Sequence, residues 1–161
     1  MYLKKRKKWV MKLIIRTLMI AGIILLSVNS TLAQENELKV SEKEKELFNQ
    51  VEGDTVPIRS EESNYEIIII EPGFYTWLQS VARPEGYYSQ HFLENRNQWY
   101  VMEWNRRVIN PTYYDAHHYM VQIDYDPSID YGYEVNYKLY YYFIYFQRKY
   151  NERLGPYVPR I

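Results

Sequence analysis

Apolar residues recur at helical spacing over Ser89–Ile109, where Leu93, Tyr100, Trp104 and Val108 form a stripe that Phe92 and Trp99 widen. A stripe of this kind marks a helix with one face turned to a core. Ser89 supplies an N-cap, and Asn110-Pro111 a stop. A second long helix is predicted over Gly132–Leu154. Its Leu139–Phe146 stretch is apolar on every face, so it should be covered on all sides. The β propensity of Tyr, Phe and Ile pulls the other way. The length and the end charges decide for helix: Asp126, Asp130 and Glu134 sit at one end, and Arg148, Lys149 and Arg153 at the other, matching the helix dipole. Gly155-Pro156 then supplies the stop.

The rest of the chain gives shorter signals. Tyr65–Ile70 is a β-branched run closed by Glu71-Pro72-Gly73, the pattern of a strand buried on both faces and followed by a turn. Phe74–Ala82 reads as a short helix ended before Pro84. Tyr119–Tyr125 alternates loosely and is expected to be a second strand pairing with Ile67–Ile70. The fold class these elements predict is α+β: two long helices and one short helix packed with one or two short strands around an aromatic-rich core.

Residues 1–33 carry a different pattern. Lys4–Lys12 is basic, Leu18–Val28 is a short apolar run, and Thr31-Leu32-Ala33 places small residues before Gln34. These are the three parts of a cleavable signal peptide. The apolar run is too short for a membrane span of roughly 20 residues, and Arg16 limits its extension. Met11-Lys12 followed by the same run would also be a complete signal, so either Met1 or Met11 serves as the start. The expectation is an exported protein of the periplasm or cell envelope, with no membrane span after cleavage.

Charge sharpens the division. The whole chain is formally neutral, but residues 1–33 hold seven basic residues and no acid. The remainder is therefore acidic, with a net charge of −7. Such a chain repels phosphate backbones, so no nucleic-acid partner is expected. Residues 34–64 are acid-rich, and Phe48 is their one aromatic residue. They read as an acidic flexible linker that buries too little apolar surface to order itself. The folded domain is expected to span 65–161, which holds eighteen of the nineteen tyrosines. The chain has no cysteine, which excludes disulfides, thiolate metal sites and a lipid-modified N-terminal Cys.

Glu66-Ile-Ile-Ile-Ile-Glu-Pro-Gly, Tyr87-Tyr-Ser-Gln-His-Phe-Leu-Glu-Asn-Arg, Glu103-Trp-Asn-Arg-Arg-Val and Asp130-Tyr-Gly-Tyr-Glu-Val-Asn-Tyr are specific as a set. Together, over Tyr65–Ile161, they make the chain resemble a family of small uncharacterised envelope proteins of Bacteroidetes-type bacteria, a domain of unknown function. The resemblance implies envelope location and transfers no activity or catalytic residue. Many members look like lipoproteins; without the Cys, soluble secretion is what the resemblance implies here.

Candidate chemistry is sparse. Asp124, Asp126 and Asp130 alternate as in the first half of a calcium loop. However, Ile129 replaces the turn glycine and Val135 the bidentate Glu, so helix capping is the preferred role. No cofactor is expected, with calcium as the competing reading. His117-His118 near Asp115 lack a recognised ligand pattern. His91 and Glu94 lie one turn apart, and Asn97 falls inside the apolar stripe, where its amide is either a structural tie or a ligand-facing group. Tyr87, Tyr88, Tyr113 and Tyr114 are candidates for an exposed aromatic platform. Glu94 and Glu103 are roughly 13 Å apart along one helix, too far for a glycosidase pair. No nucleophile motif or phosphate loop is present. The leading expectation is a non-enzymatic envelope module that binds a protein or glycan partner. The alternatives are a structural envelope component, and an enzyme whose pocket gathers Asn97, His91 and Glu94.

Overall fold

The helix that is apolar all round takes the position its sequence demands. In the computed structural model, twelve of the eighteen residues of Gly132–Lys149 are buried. The structure describes residues 38–49 and 71–161 with their side chains, and the backbone of 56–59 and 66–69. The expected signal peptide, residues 1–33, lies outside these residues. In chain order the elements are α1 (Glu42–Phe48), β1 (Val56–Arg59), β2 (Glu66–Ile69), α2 (Phe74–Ser80), α3 (Gln90–Val108) and α4 (Gly132–Lys149). No helix among the described residues is long and apolar enough to cross a membrane.

The core is aromatic and centred on α4. Phe74 and Trp77 of α2 meet Tyr145 edge-on at 5.5 and 5.4 Å. On α3, Trp104 meets Phe146 at 4.9 Å and Tyr100 meets Phe143 at 5.4 Å. Edge-to-face pairs add about 0.5–1.5 kcal/mol each beyond area burial. The hydroxyls explain why so many of these rings are tyrosine. Tyr145 donates to the Pro72 carbonyl at 2.7 Å and Tyr137 to the Arg83 carbonyl at 2.8 Å. Each ring fills the core while its tip ties down a loop carbonyl that burial would otherwise leave unpaired.

The α+β expectation is corrected: the fold is helical with an aromatic-rich core. The described buried residues lie on helices and irregular segments. Among the described residues, extended pairing is limited to the antiparallel hairpin β1–β2, eight residues of backbone. The expected second strand, 119–125, is irregular. Its backbone groups bond to side chains of α3: the Asn105 amide donates to the Ile123 carbonyl and accepts from its N–H, both at 2.8 Å, and the Trp104 indole donates to the Val121 carbonyl at 2.9 Å. These bonds take the Val121 and Ile123 groups that pairing along that edge would use.

The long helices otherwise follow their signals. The Ser89 hydroxyl caps α3 by accepting the Phe92 N–H at 3.3 Å. α4 ends at Lys149, five residues before the predicted end at Leu154, because Asn151 turns into the left-handed region at φ 51°. Buried Gln147 accepts the Leu154 N–H at 2.7 Å and so anchors the departing chain.

The expected flexible linker is corrected over 38–49. Ser41 and Glu44 form a capping box for α1. Leu47 is buried, and Phe48 packs edge-on against Tyr145 at 5.2 Å. The Glu44 carboxylate receives Arg148 of α4 at 2.6 and 2.7 Å and the Trp77 indole at 3.2 Å. Gly73 makes the approach possible: at φ 82° it sits so close that a Cβ would meet the Leu47 carbonyl oxygen at 2.5 Å. Local composition read as solvated, but one buried carboxylate with a dedicated guanidinium outweighs it. Leu38–Ile161 forms one compact unit that takes in this segment.

Candidate functional site

α3 presents one face to α4 and the other to solvent. At 3.6 residues per turn, Leu93, Asn97, Tyr100 and Trp104 point inward, and all are buried. The outer face at the N-terminal half carries a shallow groove of about 340 Å³, lined by Ser89, His91, Phe92, Asn95, Arg96, Trp99 and Tyr157. Trp99 is 52% exposed, whereas Trp77 and Trp104 are buried. The sequence stripe had placed Trp99 toward the core; it stands on the groove wall instead.

Arg96 is the groove's cation. Its guanidinium lies over the Tyr157 ring at 3.2 Å from the centroid, with Phe92 at 5.1 Å. Phe92 is in turn stacked on Tyr88 at 4.4 Å. The Arg96 Nη1 atom is buried and has no hydrogen-bond partner. A stacked guanidinium keeps its N–H groups in the ring plane, so cation–π contact covers its faces and leaves its edge unsatisfied. At the rim, His91 is exposed and its ring nitrogen lies 3.1 Å from the Asn95 amide.

The structure does not gather Asn97, His91 and Glu94 into one pocket. His91 lines the groove. Asn97 faces away from it, fully buried, and donates to the Asn136 carbonyl at 2.9 Å and the Asn136 side chain at 3.1 Å. Tyr125 closes this knot by donating to Asn136 at 2.8 Å, and burial raises its pKa. Asn97 Oδ1 remains unpaired within the core. Glu94 approaches His91 only to 3.9 Å and accepts from Gln90 at 2.8 Å.

The other candidates separate as well. Tyr88 is half-buried behind Phe92, and Tyr87 is exposed with Arg83 over its ring at 5.1 Å. Tyr113 is 83% exposed, and Tyr114 packs under Arg106 at 4.9 Å. Asp130 accepts the Gly132 N–H at 2.9 Å and Gln90 at 2.7 Å, closing the turn that leads into α4, whose N-cap position, Tyr131, makes no side-chain cap bond. Asp126 instead folds its own turn by accepting the Ser128 N–H and hydroxyl, and these bonds hold its carboxyl below the usual range. Among the described residues no group of three or more His, Asp or Glu is placed to hold a metal ion. His118 bonds Glu152 at 2.9 Å and lies 4.1 Å from the Tyr150 ring; His117 is exposed with its N–H on Asp115.

A second polar cluster was not anticipated. Arg107, mostly buried, holds Glu103 and Glu152 at 2.8 Å each, donates to the Tyr119 hydroxyl at 2.7 Å and reaches the Arg153 carbonyl. Every charge in it is matched, so it fastens the end of α3 to the chain beyond α4. The groove residues themselves had a sequence signal: positions 91, 92, 95, 96 and 99 recur on one helical face, which assigning Phe92 and Trp99 to the core stripe obscured.

No curated protein and no solved structure matches the chain. A family model does match, over residues 18–157, and the chain belongs to that family, DUF6146, a family of unknown function.

Proposed function

We propose that the protein is a non-enzymatic, exported binding module of the periplasm or cell envelope, and that the groove on α3 receives a glycan partner. The observation that carries this reading is Trp99, a half-exposed indole beside a guanidinium already stacked between two rings. Tryptophan, tyrosine and arginine are the residues that dominate binding energy where they occur in recognition sites. An exposed ring face offers an apolar plane with polar edges, which complements a sugar ring. Size favours a glycan over a protein. A groove of about 340 Å³ is within the range of small-ligand sites, while a stable protein interface needs roughly 800 Å² from each partner.

Binding is favoured over catalysis by how the polar groups are occupied. The Ser89 hydroxyl accepts the Phe92 N–H as a helix cap. A nucleophile would need a base within hydrogen-bond reach; the contacts of the His91 ring run to Asn95 and Glu94. Export is supported by the basic, apolar and small-residue order of residues 1–33.

Two measurements test the proposal. N-terminal mass spectrometry of the envelope fraction should find a mature end at or beside Gln34; an intact 1–33 segment on the mature protein contradicts export. Fluorescence titration with neutral and acidic oligosaccharides should give saturable changes that Trp99→Ala abolishes without lowering the melting temperature. Saturation that survives Trp99→Ala would place binding elsewhere.

A further inference from the structure

We infer that the ligand of the α3 groove is anionic: a saccharide bearing a carboxylate, with the acid group on Arg96 and a sugar face on Trp99. This rests on the glycan-binding reading and adds the charge of the ligand.

The argument starts from how the chain treats its other enclosed arginines. Arg148 has Glu44 at 2.6 Å, and Arg107 has Glu103 and Glu152 at 2.8 Å. Even exposed Arg106 has Glu103 at 2.7 Å. Beyond residue 33 the chain carries a surplus of acids, so carboxylates are not scarce. Yet none lines the groove around Arg96, and its buried Nη1 has no acceptor. A buried donor left unpaired costs about 1–3 kcal/mol, and more when charged. The groove is thus a local positive site on an acidic molecule, with a planar donor edge shaped for a carboxylate.

The neighbours of Arg96 suit a ring-bearing anion better than a bare one. Phe92 and Tyr157 cover the guanidinium faces and hold its plane. Trp99, one turn further along the helix, adds exposed apolar surface that a simple anion would not use.

The test uses trigalacturonate and its neutral counterpart galactotriose, titrated into the mature chain and read by tryptophan fluorescence. Trigalacturonate should bind at least tenfold more tightly, a preference that weakens as salt is raised. Arg96→Gln should erase the preference, so that the variant binds trigalacturonate no more tightly than it binds galactotriose. Acetate at equal carboxylate concentration should not compete. Arg96→Lys keeps the charge without the planar fork and should retain part of the preference; with the salt series it decides the matter should Arg96→Gln fail to fold. Equal affinity for the two sugars overturns the anionic assignment while leaving the glycan site standing. Competition by acetate equal to trigalacturonate makes this a bare-anion site and overturns the saccharide assignment. Binding of neither sugar overturns both readings.

Discussion

Arg148 grips both carboxylate oxygens of Glu44, 104 residues earlier in the chain, with its Nε and Nη2 at 2.6 and 2.7 Å. Both partners are buried, and the Trp77 indole, the Lys39 carbonyl and the Pro159 carbonyl complete the shell. The pair makes the segment at 38–49 part of the domain. Removing one partner of a buried pair strands the other charge. Glu44→Ala should therefore destabilise by about 3–5 kcal/mol in urea unfolding. Glu44→Leu with Arg148→Met should recover much of that loss.

The same pair sets an acid limit. Burial alone would raise the Glu44 pKa, but Arg148, the Ser41 N–H and Trp77 together hold it below its ordinary 4.5. A depressed folded pKa gives stability that is complete above the ordinary value and is lost as pH falls through the lowered one. Unfolding free energy should be flat above about pH 6 and drop below 4.5. In Glu44→Gln the drop should be shallower; an unchanged acid profile in that variant contradicts this assignment.

Alkali should act through the core tyrosines. Burial, first, with the charges of Glu85 and Tyr133, pushes Tyr137 up to about 12, and burial raises Tyr140, Tyr141 and Tyr145 further. These hydroxyls stay neutral when folded but ionise near 10 once exposed. Their contribution is complete below that value and fades as pH rises through the folded pKa values. Tyrosinate absorbance should therefore rise gradually in alkali as exposed rings such as Tyr87 and Tyr113 ionise, then in a cooperative step at higher pH coincident with loss of helical signal. A gradual rise that runs to completion with helix intact would show that the core rings are accessible.

The Asp130 carboxylate accepts the Gly132 N–H at 2.9 Å in the turn that enters α4. Asp130→Ala should cost about 0.5–2 kcal/mol, and Asp124→Ala, at an exposed position, less. Calcium should leave the melting temperature unchanged. A chelator-reversible rise that Asp126→Ala removes would make this loop a metal site.

Asn97→Ala should cost about 2 kcal/mol, because it removes both bonds to Asn136 and leaves a gap. Saccharide affinity should be unaffected, since the amide points into the core. A loss of affinity at unchanged stability would instead make Asn97 a ligand contact.

What the sequence made legible was local. Ser89 capped its helix as read, and the all-apolar Leu139–Phe146 stretch went to the centre. What it hid was long-range. Glu44 looked like one solvated acid among many, because the arginine that buries it lies 104 residues on. The Ser41-x-x-Glu44 capping box was present but uninformative about docking. Arg148 fitted the helix dipole equally well as a surface charge. Val121 and Ile123 alternate like a strand, yet Trp104 and Asn105 on α3 take their backbone bonds. The groove depends on Tyr157 folding back over Arg96, a contact that no spacing within α3 reveals.

The location of the site is tested most directly by the tryptophan indole resonances in a two-dimensional nitrogen–proton spectrum during the saccharide titration. The described indoles have distinct settings: Trp77 donates to Glu44, Trp104 donates to the Val121 carbonyl, and Trp99 stands in the groove. The two buried indoles serve as internal controls. The account predicts that the Trp99 resonance shifts with saturation while Trp77 and Trp104 stay in place. A saturable shift at Trp77 or Trp104 with Trp99 unmoved would contradict it.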